Sequence, residues 1–505
     1  MRISIIEPHI KNFDRMSKLF IMPRYGSIAI ATALKNAGYE VRVFSEFIRS
    51  SIDWDYVYSS DYICFALMSF CAQRGYQLAQ QVRQNAKVPI IFGGAHPTVL
   101  PEECLDYCDY VIRNEGEVTL LELLDTLQSD KDVSSIKGLS FRNNQGEIVH
   151  NPKREFVQNI DVPQDIALLH DYEKLKDSFQ GKNPMIHMQV IQTSRGCPFN
   201  CKFCVAPEEL GTRYRTKSMD TVLYDIENGI GVTGSKTFLI VDNEFTVKRE
   251  RTKELLKSII ATYRDSLYLM VFARIEIGQE PELLQLMKEA GVRILFIGIE
   301  SVNESSLKYY QKKISLDTIR KNIARVHSMG INTMGSTILG SDYDTPDLIN
   351  NTADFFIENE FTHATFYSLY EIPTKEKVLG IKQMFPDNRF IHRDWRFFNS
   401  AYVIHYPKFM KPSTLQKIII KNYKKFYSLK RRSEDHLKGT AYSRMSIKLF
   451  SVNPEIAVAE KYIPFLEQFE DGLYDENEHL LEEKLPRDAT QHVYIHDIPI
   501  DMSDI

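Results

Sequence analysis

Apolar positions in the first 115 residues come in short bursts separated by helix-like stretches. The bursts RISII (2–6), EVRVF (40–44), DYICFAL (61–67), VPIIF (88–92) and DYVIR (109–113) are rich in β-branched and aromatic residues and read as strands. Between them, SIAIATALKNAG (27–38) has helical spacing and ends on Gly38, a residue suited to a left-handed helix stop. Strands alternating with helices predict an α/β fold, here a doubly wound parallel sheet of Rossmann-like type. Such a sheet takes ligands in the loops beyond its strand C-termini. Gly93, Gly94, His96, Pro97 and Thr98 fall in one such loop, and Glu115 and Gly116 in another.

A second alternating series begins near residue 186. Its strands are MQVIQT (188–193), KTFLIVD (236–242), LYLMVFAR (267–274), RILFIGI (293–299), INTMGSTIL (331–339) and HATFYSLY (363–370), with helical segments such as PELLQLMKEAG (281–291) between them. Six β–α repeats predict a partial (β/α)6 TIM-like barrel, whose chemistry gathers at the strand C-terminal ends. Between the two series, LSFRNNQGEIVH (139–150) reads as a hairpin turning at Asn143–Gly146. The polar stretch after it, with Pro152 and Pro163, reads as the domain connection. The last hundred residues lean helical, and the basic run KIIIKNYKKFYSLKRR (417–432) reads as a solvated helix face. The aromatic runs FYSLYEIPTK and RDWRFFNSAYVIHYPKFM read as ordinary core. The expected division is 1–135 for the first sheet, 136–182 for hairpin and linker, 183–400 for the barrel and 401–505 for a mainly helical C-terminal region.

Composition narrows the class. A chain of 505 residues has room for about three domains. Its 43% apolar and 26% charged residues are ordinary for a globular protein. A net charge of -5 argues against a general nucleic-acid binder. The apolar run in MRISIIEPHIKNF is too short for a signal-peptide core, and no stretch approaches about 18 uninterrupted apolar residues. A cytoplasmic protein without a membrane span is expected.

Three of the seven cysteines demand an explanation. Cys64, Cys71, Cys104 and Cys108 are scattered in apolar or helical settings and read as small core residues. Cys197, Cys201 and Cys204 lie within eight residues, in SRGCPFNCKFCVAPEELG, just after the first barrel strand. Thiolates suit zinc or an iron–sulfur cluster. A structural zinc site wants four closed ligands, and no second arm or nearby histidine completes one here. A redox CxxC pair leaves Cys197 without a role. A cubane with three protein ligands keeps one iron open for a small molecule.

The motif CPFNCKFC resembles the signature of radical S-adenosylmethionine enzymes, and the barrel resembles that family over about 200 residues. The resemblance implies a [4Fe-4S] cluster whose open iron chelates S-adenosylmethionine, and reductive cleavage to a 5′-deoxyadenosyl radical. It places Phe203 near the adenine, and Asp242, Asn243 and Glu244 where the family meets the methionine amine. The family's Gly-Gly-Glu form is absent from VDNEFT. Arg274, Glu300 and Ser301 end the third and fourth strands, within a block that resembles the corresponding family block. Glu300 is a candidate for a ribose hydroxyl or for an ion pair with Arg274, and Arg215 for a carboxylate. An electron donor such as flavodoxin or ferredoxin is the implied partner, with a small molecule as substrate.

The first 130 residues resemble the cobalamin-binding domain of a large subgroup of that family, through RYGSIAIATALKNAGYEVRVF, FGGAHPTVLPEE and YVIRNEGE. The resemblance implies cobalamin as a further cofactor, with Ser69, Gly93, Gly94, His96, Pro97, Thr98, Glu115 and Gly116 around it. The Asp-x-His-x-x-Gly motif of histidine-ligated cobalamin is absent, so His96 is expected to bond the cofactor's periphery rather than its cobalt. The subgroup's usual reaction is methyl transfer to an unactivated carbon; some members cyclise or oxidise instead. The rival from another class is a non-enzymatic zinc protein.

Overall fold

The computed structural model describes residues 1–9, 22–48, 51–172, 188–371, 389–428 and 454–485. The connection around 173–182 and the basic residues 429–432 lie outside these.

The first sheet has strands β1 (Arg2–Glu7), β2 (Glu40–Ser45), β3 (Tyr62–Ala66), β4 (Ile90–Gly93), β5 (Tyr110–Ile112), β6 (Leu139–Arg142) and β7 (Ile148–His150). Their spatial order is β2-β1-β3-β4-β5-β6-β7. The first five are parallel, as the β–α alternation requires. The hairpin expected between the domains pairs antiparallel with β5 and extends this sheet. Strand order reverses between β1 and β3, so the connections there leave on opposite faces and open a crevice above the strand ends. The helix Tyr25–Asn36 covers one face with Ile28, Ala31 and Leu34, and Gly38 closes it at φ +92°.

Residues 188–371 add β8 (Gln189–Ile191), β9 (Ser194–Arg195), β10 (Arg215–Thr216), β11 (Thr237–Ile240), β12 (Tyr268–Phe272), β13 (Val292–Glu300), β14 (Asn332–Leu339) and β15 (His363–Ser368). Six of them, β8 and β11 to β15, form one parallel sheet in sequential order. This is the expected partial barrel. Its register puts Phe272, Phe296, Met334 and Tyr367 on one face and Val271, Leu295, Thr333 and Phe366 on the other. On the second face, Phe366 packs edge-on against Tyr423 of the helix Pro412–Phe426. That helix buries Ile418, Ile419 and Phe426 while Lys417, Lys421 and Lys424 stay at the surface, so the basic run is a solvated face over its described part. The run 393–410 is core, as expected: Trp395, Phe397, Phe398, Tyr402 and Tyr406 are all buried.

Backbone geometry demands glycine at one loop critical to the crevice. Gly94 follows β4 at φ +106°, and a Cβ there would lie 2.6 Å from the Leu67 carbonyl oxygen. Gly94→Ala is expected to cost about 1–3 kcal/mol. Gly231→Ala, in the exposed face of the helix Met219–Thr233 with open space around it, is expected to stabilise by up to about 1 kcal/mol. Urea denaturation midpoints check both; equal midpoints contradict the strain argument.

Acid sensitivity follows from three buried histidines. Burial pushes the His96, His392 and His405 imidazoles down to about 3. In the unfolded chain they titrate near 6.5. Between about pH 6.5 and 3 the unfolded chain therefore takes up protons that the folded chain refuses, and stability falls as pH falls. The expected slope is up to about 1.4 kcal/mol per pH unit for each histidine. Denaturation curves at pH 7.5, 6.0 and 5.0 measure it, and a flat profile would refute it.

Candidate active site

The cysteine loop is pinched at its base. Strands β9 and β10 pair antiparallel, Arg195 opposite Arg215 and Ser194 opposite Thr216, and so hold both ends of the loop together. Gly196 sits at φ +88°, and a Cβ there would fall 2.3 Å from the Arg213 carbonyl oxygen. The glycine before Cys197 is thus a close-approach position that no other residue fits. The Cys197 amide donates to the Gly211 carbonyl at 3.0 Å, and the Cys204 amide to the Cys201 carbonyl at 3.0 Å. Cys197 is buried, and Cys201 and Cys204 are half-buried. All three are free thiols.

Charged neighbours connect this loop to the other strand ends. Burial pushes the Cys197 thiol up, and the negative charge of Glu244 adds to it while Arg274 opposes it. Burial pushes Cys204 up to about 11, with Glu300 acting in the same direction. Arg274, just after β12, brings Nη1 to 3.9 Å from Cys201 Sγ and lies 4.2 Å over the Phe199 ring. Glu276 Oε1 holds that guanidinium, accepting from Nη2 at 2.6 Å. Glu300 ends β13 at φ +66°, with its carboxylate folded back over Gly298. A Cβ on Gly298 would meet Glu300 Oε1 at 2.1 Å. The partner of Glu300 is Lys312 at 3.1 Å, not Arg274.

Donor counting divides the VDNEFT trio. Asp242 is wholly buried and accepts four hydrogen bonds: from the Thr193 amide (2.6 Å) and Oγ1 (2.6 Å), and from the Ser194 amide (3.0 Å) and Oγ (2.6 Å). Its carboxylate is saturated and ties β11 to the strand that leads into the cysteines, so it is not free for a ligand. Asn243 is exposed. Glu244 is buried and accepts at Oε1 from the Thr246 amide at 2.9 Å and the Thr246 hydroxyl at 2.5 Å. Ser301 is buried and caps its own turn, accepting from the Asn303 amide at 3.0 Å. Phe203 is half-buried with its ring edge-on to Tyr310, centroids 5.2 Å apart.

A cavity of about 490 Å³ opens where the first sheet meets the barrel. Ile5, Phe65 and Leu67 line it from the β1–β3 crevice, and Val190, Gln192 and Val241 from the barrel. Gly93, Gly94, Glu115 and Gly116 reach it. His96, Ser69, Pro97 and Thr98 are not in its wall. His96 is fully buried, with Nε2 2.7 Å from the Tyr76 hydroxyl and Nδ1 3.2 Å from Ser69 Oγ. Both ring nitrogens are thus engaged within the fold. Thr98 bonds Gly94 and Asn114 instead.

Glu115, expected beside cobalamin, and Arg215, expected to meet a carboxylate, meet each other. Arg215 Nη1 donates to Glu115 Oε2 at 2.9 Å, and both side chains are buried. Arg195 reaches the other oxygen of Glu115 at 3.3 Å and Glu117 at 2.6 Å. Sequence reasoning missed Arg195, Gln192, Asn114, Arg24 and Tyr25 as cavity residues. Arg24 and Tyr25 stood in RYGSIAI, one of the strings that carried the resemblance, and that was the available signal.

The residues present suit the implied groups. Three soft thiolates on one short loop, beside two carboxylates and an arginine, are the donor set of an open-sited cluster and an amino-acid ligand. Among the described residues no three His, Cys, Asp or Glu side chains converge as they would on one metal ion. A cubane needs wider spacing, because each thiolate bonds a different iron. The cavity volume lies within the usual range for small-molecule and cofactor sites, about 300–1,000 Å³.

These features define a radical S-adenosylmethionine barrel set behind a cobalamin-type first domain. The Radical SAM superfamily matches residues 191–356, and the B12 binding domain matches residues 18–124. The chain thus carries a Radical SAM domain and, before it, a B12 binding domain, the pairing of the cobalamin-dependent group of radical S-adenosylmethionine proteins. It is an enzyme whose cofactors are a [4Fe-4S] cluster, S-adenosylmethionine and cobalamin. An uncharacterized methyltransferase of Pyrococcus horikoshii is 27% identical over 357 residues, covering 70% of this chain and 74% of the relative. The bacteriochlorophyllide d C-8(2)-methyltransferase of Chlorobaculum tepidum is 23% identical over 416 residues, covering 80% and 85%. The fold is similar to that of the cobalamin-dependent S-adenosylmethionine radical enzyme OxsB with aqua-cobalamin bound, at TM-score 0.67 and 16% identity, covering 92% of this chain and 72% of that one.

Asp242→Ala is expected to leave four donors without their acceptor and to cost about 3–5 kcal/mol. The cysteine loop should loosen with it, lowering iron content after reconstitution. Asn243→Ala should change stability by less than about 0.5 kcal/mol. Urea midpoints and iron analysis of the two variants decide; an Asp242→Ala protein of ordinary stability would return Asp242 to the ligand-binding candidates.

Proposed function

We propose that this protein is a cobalamin-dependent C-methyltransferase that acts on an unactivated carbon of a small molecule. One observation carries the reading: the cavity of the first sheet takes part of its wall from barrel strands β8 and β11, so the two cofactor regions adjoin. Both curated relatives described above are named methyltransferases, which supports the same outcome.

When bound, the cluster and S-adenosylmethionine supply the 5′-deoxyadenosyl radical, and cobalamin supplies the methyl carrier. The chain's own residues do the positioning. Cys197, Cys201 and Cys204 hold the cluster. Glu244 and Glu300 offer carboxylates to the ammonium and hydroxyl groups of S-adenosylmethionine, and Arg274 offers a cation near its carboxylate. Asn243, Ser301 and Phe203 complete that side. Gly93, Gly94 and Gly116 let the backbone approach the corrinoid closely. An apolar barrel face of Phe272, Phe296 and Met334 keeps water from the radical.

The chain divides, in this reading, into a first domain that takes in the hairpin up to His150, a connection up to 182, a barrel over 183–400 and a C-terminal region over 401–505. Among the described residues no helix is long and apolar enough to cross a membrane. We place the enzyme in the cytoplasm, with flavodoxin or ferredoxin as electron donor.

Anaerobic reconstitution with iron, sulfide and hydroxocobalamin, followed by methyl-labelled S-adenosylmethionine and candidate metabolites, tests the reading by mass spectrometry. Labelled methyl in product, together with 5′-deoxyadenosine, is expected. Cys201→Ala should reduce deoxyadenosine to background. Deoxyadenosine without methyl transfer would replace methylation by cyclisation or oxidation.

A further inference from the structure

Two adjacent residues of the first domain grip both ends of the cysteine loop. Asn114 and Glu115 follow β5 at the cavity edge, with Asn114 in the left-handed region at φ +63°. Glu115 binds Arg195, two residues before Cys197, and Arg215, the register partner of Arg195 on β10. Asn114 Nδ2 donates to the Glu208 carbonyl at 2.9 Å, four residues after Cys204. Glu115 also accepts from the Val157 amide at 2.6 Å, so its Oε2 serves two donors. Arg195 is held further by Gln192 Oε1 at 2.6 Å and by Glu117.

Asn114, Glu115, Glu117, Gln192 and Arg195 all line the cavity. The wall of the first-domain cavity and the clamp on the cysteine loop therefore share these side chains, with Arg215 behind them. A ligand that fills the cavity presses on groups whose alternative positions are costly. Glu115 and Arg215 are both buried, and a buried charge released from its partner has no water to turn to. Whatever orders these groups from the cavity side orders the loop from the other.

We propose that Glu115, assisted by Asn114, is a positioning residue that couples occupancy of the first-domain cavity to the placement of the cluster-binding loop. The proposal rests on the function above in taking a corrinoid as the occupant. By linkage, the coupling runs both ways: a formed cluster tightens corrinoid binding by the factor by which the corrinoid orders the loop.

Glu115→Ala and Glu115→Gln test this beside the wild type, with circular dichroism confirming the fold. If Glu115→Ala does not fold, Glu115→Gln carries the comparison. Hydroxocobalamin affinity is measured by visible titration with and without the reconstituted cluster, and amide hydrogen exchange over 192–216 is followed without any cofactor. In the wild type, the cluster should tighten hydroxocobalamin by at least about fivefold. In Glu115→Ala that factor should fall below about twofold. Exchange at the β9 and β10 amides should speed about tenfold relative to β12–β14. Glu115→Gln, which keeps the shape and loses the charge, should fall between. Wild-type affinity that ignores the cluster overturns the coupling and leaves the function standing. Wild-type protein that takes no hydroxocobalamin overturns the function reading, and exchange at β9 and β10 then still decides placement by Glu115. Unchanged exchange in both variants overturns that placement.

Discussion

The arrangement depends on a buried carboxylate shared by two arginines. Glu115 comes from the first sheet, and Arg195 and Arg215 from the two strands that pinch the cysteine loop. Removing such charges from water costs several kcal/mol each, and only close, well-aligned partners offset it. The geometry meets that condition: Glu115 accepts from both arginines and from the Val157 amide, and Arg195 is shared with Glu117 and Gln192. In the coupling proposed above, its effect falls on specificity of placement more than on net stability. An apolar substitute would pack the domains together without telling β9 and β10 where to stand.

A second carboxylate does the same work within the barrel. Asp242 looks like a ligand-binding residue by position, at the end of the second barrel strand. Its four hydrogen bonds say otherwise, because an ionised carboxylate has about four lone-pair sites and all are used. Glu244, two residues on, has one oxygen engaged by Thr246. The other strand-end groups are held too: Arg274 by Glu276 and over the Phe199 ring, and Glu300 by Lys312. A site that binds a charged amino acid needs groups held firmly yet with donors or acceptors left over. Saturation, rather than residue type, separates the frame from the site.

Local information made much of this readable. Strand periodicity placed both sheets, glycine stops closed the helices at Gly38 and Gly291, and the cysteine spacing with its position after the first barrel strand defined the cluster loop. What stayed hidden were pairings across long stretches of chain. Glu115 and Arg215 are 100 residues apart, and nothing in the neighbourhood of either names the other. His96 stood in the right loop but turns inward, because Tyr76 on a helix and Ser69 before it supply both its hydrogen bonds. The hairpin after residue 138 looked like a connector because its polar turn was visible, while its edge pairing with β5 was not.

The topology explains why the two halves meet at their reactive edges. In the first sheet the order β2-β1-β3 creates a crevice above the strand ends, where the cavity shared with the barrel opens. In the barrel the sequential order of β8 and β11–β15 brings the cysteine loop, Glu244, Arg274 and Glu300 to one rim. These two edges could have faced apart, leaving each cofactor region its own solvent-filled mouth. Val190, Gln192 and Val241 of the barrel instead close the crevice of the first sheet, and Asn114 and Glu115 of the first sheet reach back to the barrel loop. The interface is reciprocal: each domain completes a wall that the other needs. A radical generated at the rim then has a protein-lined cavity as its neighbour, with the first sheet's crevice on its far side.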